Sequence, residues 1–114
     1  MPRRKILWLC SWYPGKTDPF NGDFIQRHAR AAAIFCDIHV IHLAPVPQKP
    51  EPGHETEWRH ENGLTEQLVY YYKSETSTGK LLAHYRWLKL YKKILQDYII
   101  RNGKPDLVHV HIPM

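Results

Sequence analysis

The chain has 114 residues, with 16 Lys or Arg against 11 Asp or Glu for a net charge of +5, and 43% of its residues are hydrophobic. That is enough chain for one domain of ordinary globular composition, which sets aside intrinsic disorder and collagen-like or other low-complexity architectures. No apolar run, Ile6 to Cys10 included, approaches the ~18 residues of a membrane span, and the chain reads as cytoplasmic.

Lys5 to Cys10 (KILWLC) is continuously apolar after a basic start, as a strand covered on both faces requires, and is read as the central first strand. Ser11 to Asn21 carries Pro14, Gly15, Pro19 and Asn21, so a long loop follows. From Gly22 to Phe35 the period becomes helical. Phe24, His28, Ala31, Ala32 and Phe35 form the face expected to meet the sheet, and Gln26, Arg27 and Arg30 lie off it. Asn21 or Gly22 serves as N-cap, and Asp23 suits the positive end of the helix.

Ile38 to Leu43 is a second strand. Pro45 to Gly63, with four prolines and charges without period, is read as a mobile surface excursion. Thr65 to Lys73 is a third strand. Gly79 to Asn102 is a long helix with Leu81, Tyr85, Leu88, Leu95 and Ile99 as its apolar stripe, stopped by Gly103 and Pro105. Asp106 to Ile112 is a fourth strand, on which Leu107, His109 and His111 share one face.

Strands alternating with helices predict an α/β, Rossmann-like three-layer domain with a parallel sheet of about four strands. Ligands are expected outside the carboxyl ends of those strands. The last strand has no helix after it and four strands are few for this architecture, so the chain is expected to be the front of a longer domain. Its outer edge is expected to pair with another copy.

Cys10 and Cys36, one in a strand and one at a helix end, suit two reduced, partly buried thiols. The net charge permits an anionic partner: a nucleotide-sugar diphosphate, an anionic lipid surface or nucleic acid. No G-x-G-x-x-G or G-x-x-x-x-G-K-[ST] is present, so dinucleotide-binding and P-loop readings fail. Backbone amides at the start of the first helix, opened by Gly22, would attract an anion; the plain alternative is a glycine-capped loop. Of the eight histidines, His109-x-His111 and His39-x-x-His42 are closely spaced, and His54 and His60 lie among Glu55, Glu57 and Glu61. None has a zinc or facial-triad spacing, so no metal site is expected. Lys80, Arg86, Lys89, Lys92, Lys93 and Arg101, with Trp87 and Tyr91 interleaved, suit an anionic membrane surface or single-stranded nucleic acid, against the plain alternative of a solvated helix face.

Trp12-Tyr13-Pro14, Pro19 and Asn21-Gly22-Asp23-Phe24-Ile25-Gln26-Arg27-His28-Ala29 resemble the W-Y-P…P…G-x-F-x-x-x-H-A opening of glycosyltransferase family 4, a group of retaining, two-domain sugar transferases. Pro105-Asp106-Leu107-Val108-His109-Val110-His111 is similar to that family's P-D-[ILV]-[ILV]-H-x-H segment. The resemblance implies the front of the N-terminal, acceptor-side domain. A C-terminal nucleotide-sugar-binding domain and its paired glutamates would lie outside this chain, leaving the chain alone inactive.

It further implies a nucleotide-sugar donor, a glycan or lipid-linked acceptor, no metal or other cofactor, no nucleic acid, and peripheral contact with the inner membrane face. His111 would be the catalytic residue at the strand end, facing the transferred sugar. Asn21, Gly22, Asp23, His28 and His109 would contact donor or acceptor. The residues themselves leave alternatives open: His111 as a satisfied strand-end histidine, His109 as a core histidine bonded to backbone, and His28 as structural. The competing function is a stand-alone basic module that binds nucleic acid or another anion.

Overall fold

The computed structural model describes residues 3–15, 22–46, 54–72 and 77–111. In chain order the elements are β1 (Lys5–Cys10), α1 (Asp23–Ala32), β2 (Asp37–Val46), β3 (His54–Glu61), β4 (Leu64–Tyr72), α2 (Ser77–Asn102) and β5 (Leu107–His111). Among the described residues they build a five-stranded sheet in the order β3-β4-β2-β1-β5. β1 pairs in parallel with β2 and β5, and β2 with β4. The fold is α/β with a mixed, mostly parallel sheet, compatible with a Rossmann-like three-layer arrangement.

Alternation along the strands sends side chains to two cores. Trp8, Val40 and Leu68 pack with Ile25, Ala29 and Ala33 of and just after α1. Leu7, Ile41 and Val69 pack on the other face with Ile94 and Tyr98 of α2. The two helices therefore cover opposite faces, as the change of period predicts. β1 is interior, flanked by β2 and β5, while β2 is the middle strand.

The expected surface excursion is corrected at its start, where Pro45 and Val46 continue β2 in register with Tyr71 and Tyr72, and over its second half. β3 pairs antiparallel with β4 from His54↔Tyr71 to Glu61↔Leu64. Its sequence, HETEWRHE, is polar because the strand is at the sheet edge and mostly faces water, where charge also discourages pairing with other chains. Asn62 and Gly63 make the two-residue hairpin, with φ of 31° and 85°, the sign pattern of a type I′ turn. Residues 47–53 of the excursion lie outside the described residues.

Both helix faces also differ from expectation. On α1, Ile25, Gln26 and Ala29 are buried, whereas Phe24, His28, Ala31 and Phe35 of the expected stripe are exposed. Gln26 turns inward because β4 places the Glu66 carboxyl beneath it, and a buried carboxyl requires donors. On α2, the residues facing the sheet are Trp87, Leu90, Tyr91, Ile94, Leu95 and Tyr98, spaced i, i+3, i+4, i+7, i+8 and i+11. Leu81, Tyr85, Leu88 and Ile99 of the expected stripe are exposed. α2 carries two apolar stripes, and the sheet takes the one richer in rings.

Arg3 closes the far end of α1. Its guanidinium donates to the carbonyls of Ala33, Ile34 (3.1 Å) and Cys36 (2.7 Å), and to Asp37 (2.8 Å). A cation there satisfies helix-end carbonyls and complements the helix dipole.

Candidate functional site

β1 leads through α1 to β2 on one side of the sheet, while β4 leads through α2 to β5 on the other. The chain thus changes direction between β1 and β5, and the crevice beyond the carboxyl ends of such a pair is where α/β sheets receive ligands. Cys10 and His111 are register partners at that point. The backbone N–H and hydroxyl of Ser11 both donate to the His111 carbonyl, at 3.1 and 2.9 Å.

His109 and His111 share a face of β5, and their rings stack with centroids 4.1 Å apart. Trp8, the register partner of His109, lies 5.2 Å from the His109 ring and 4.4 Å from that of His111. His109 is exposed and His111 half-buried. Burial pushes the His111 pKa below the usual histidine range, and the neighbouring imidazoles of His109 and His28 push the same way. Near neutral pH His111 is therefore neutral, with one ring nitrogen carrying hydrogen and one able to accept. Its Nε2 is buried and has no hydrogen-bond partner among the described residues.

The other sequence-selected residues separate into two groups. His28 is exposed on α1, its ring edge-on to Phe24, and is close enough to His111 to act on it electrostatically. Asp23 is an exposed first-turn residue 3.5 Å from Arg27. Gly22 is buried at the N-cap with φ 69°, and its carbonyl accepts from the N–H of Ile25 at 2.9 Å. A Cβ there would lie 2.7–2.9 Å from the Trp12–Tyr13 main chain, so glycine is required for the helix start to pass the post-β1 loop. Asn21 lies outside the described residues. The structure brings together His28, His109 and His111, and gives Gly22 and Asp23 work at the helix start.

A second polar group, not singled out from sequence, lies behind that loop. Tyr13 Oη donates to Glu66 Oε2, which also accepts from Gln26 Nε2 at 2.8 Å. Burial and the adjacent Glu66 carboxyl both raise the Tyr13 pKa, keeping the phenol protonated. His42 Nδ1–H donates to the Cys10 carbonyl at 2.8 Å, and burial lowers its pKa more than that bond restores it. Arg59 donates to the Pro14 carbonyl at 3.2 Å and approaches Glu57, which also accepts from Tyr70 Oη at 3.0 Å. The loop is thus anchored through Tyr13 and Pro14. Trp12, between Ser11 and Tyr13, is left 41% exposed. The signal in the sequence was weak: a lone Glu66 inside an apolar strand implies a buried partner but does not say which.

Two other strand histidines have local partners: His39 bonds Gln67 at 3.0 Å, and His60 bonds Thr65 at 2.9 Å. Among the described residues no three His, Cys, Asp or Glu side chains group so as to hold a metal ion. Cys10 and Cys36 are free thiols; burial pushes the Cys10 pKa up to about 12, which leaves it inert at neutral pH. No helix among the described residues is long and apolar enough to cross a membrane. Comparison with protein-family models, with curated proteins and with solved structures finds no match to the chain.

Proposed function

We propose that this chain is the acceptor-side domain of a retaining glycosyltransferase of family 4 type, moving a sugar from a nucleotide-sugar to a glycan or lipid-linked acceptor. The reading is supported chiefly by the buried Nε2 of His111, without a partner among the described residues, at the crevice between β1 and β5. Ser11 holds the His111 main chain, the Trp8 and His109 rings hold the imidazole, and its Nε2, once uncovered on ligand entry, has a hydrogen-bonding position to give a sugar hydroxyl. A fixed dipole adjacent to the reacting sugar stabilises developing charge with little reorganisation. His111 is the catalytic residue in this reading. His109 and His28 flank it and favour its neutral form.

The anchored loop supports the same reading, since Tyr13 and Pro14 hold the segment that borders the crevice. Imidazole nitrogen resonances followed by NMR during titration with nucleotide-sugars and acceptor oligosaccharides test it. The expected result is a saturable shift at His111, lost in His111→Ala, with dissociation constants of about 1 mM, as befits a half-site. Unmoved His111 resonances at about 10 mM of every ligand would overturn the reading.

A further inference from the structure

All of the molecule's net charge lies on one helix. α2 holds six Lys or Arg and one Asp, so the remainder of the chain has ten of each sign. Ion pairs at 4 Å or less join Arg3, Arg27, Arg30 and Arg59 to acidic partners, but among the described residues none involves Arg86, Lys89, Lys92 or Lys93.

The same helix extends past the core. Contact with the sheet begins at Trp87, and every α2 side chain described before it is exposed. Leu81 is 77% exposed, Leu82 56%, Tyr85 58% and Leu88 49%. Four large apolar side chains thus lie in water on about two turns of helix, with Arg86, Lys89 and Lys92 beside them.

From this arrangement we infer that the amino-terminal half of α2 docks on an anionic lipid bilayer. Apolar side chains interleaved with cations on an exposed helix face are what the boundary between headgroups and acyl chains accommodates. The leucines enter the acyl margin, and Arg86, Lys89 and Lys92 extend to lipid phosphates. Charge disfavours a second copy docking by the same face, since it would bring two net-positive helices together. Single-stranded nucleic acid is disfavoured by ring placement. Trp87 and Tyr91, the aromatics that would stack on bases, are partly buried against the sheet, and the side chains left outside are mainly leucines. The docking face is on the opposite side of the sheet from His109 and His111, and needs no sugar-transfer chemistry.

Flotation of the full chain with vesicles of equimolar phosphatidylglycerol and phosphatidylcholine, and with phosphatidylcholine alone, tests the inference. Binding is expected on the anionic vesicles only. Lys89→Gln with Lys92→Gln should weaken it by about 30-fold, and Leu81→Ser with Leu88→Ser by at least ~10-fold. These side chains are exposed, so both variants should keep the parent circular dichroism and thermal midpoint. Equal binding to neutral vesicles, undiminished binding after the leucine changes, a dimer that those changes abolish, or tighter binding to a single-stranded oligonucleotide than to the anionic vesicles would each overturn it.

Discussion

Glu66→Ala removes the acceptor shared by Tyr13 and Gln26, and the consequence can be worked from the geometry. Both donors are buried, Tyr13 at 1% exposure and Gln26 at 6%. Each would lose its partner, at about 1–3 kcal/mol apiece, so the variant should be destabilised by about 2–6 kcal/mol. Tyr13→Phe removes only one bond and leaves the Glu66 carboxyl with Gln26, so about 2 kcal/mol is expected. Against a total stability of roughly 5–15 kcal/mol for a domain, the first change can approach unfolding.

Urea denaturation measures both. With a slope of about 1.5 kcal/mol per molar, Tyr13→Phe should lower the midpoint by about 1 M, and Glu66→Ala by more. The double variant discriminates best. Without Glu66 the Tyr13 hydroxyl has nothing to bond, so adding Tyr13→Phe should cost almost nothing or restore some stability. Strict additivity of the two changes, or a Glu66→Ala cost below that of Tyr13→Phe, would refute the shared-acceptor account.

Gly22→Ala should destabilise by about 2 kcal/mol or more, because φ is 69° and the new Cβ would meet the Trp12–Tyr13 main chain; a thermal midpoint equal to that of the parent would contradict this. Stability should also fall in acid. Burial lowers the pKa of His39 and His42 below the ordinary 6.5, so below about pH 6.5 the unfolded chain takes up protons that the folded chain refuses, and the loss continues as pH falls towards the folded values. Urea titrations between pH 7.5 and pH 5 check this, and His42→Gln should flatten the slope.

Sequence alone was enough for β1 and β4. Lys5–Cys10 is continuously apolar, as a strand covered on both faces requires, Val69 and three tyrosines between Thr65 and Lys73 suit a pleated surface, and the switch to a helical period at Asp23 and before Leu81 marked the crossovers. The grouping of His109 and His111 was also legible, because alternate residues of a strand must share a face. β3 was obscured because an edge strand has little need of apolar residues, although Asn62-Gly63 is the dipeptide that a two-residue hairpin favours. Which stripe of α2 faces inward, and that Gln26 does so on α1, were tertiary decisions. Periodicity shows that a helix has an apolar side, but where two stripes compete, or a polar residue must satisfy Glu66, the outcome depends on the surface that the sheet presents. The Nε2 of His111, without a partner among the described residues, belongs to the same class, since a missing partner is a property of everything packed around the ring and of no residue by itself.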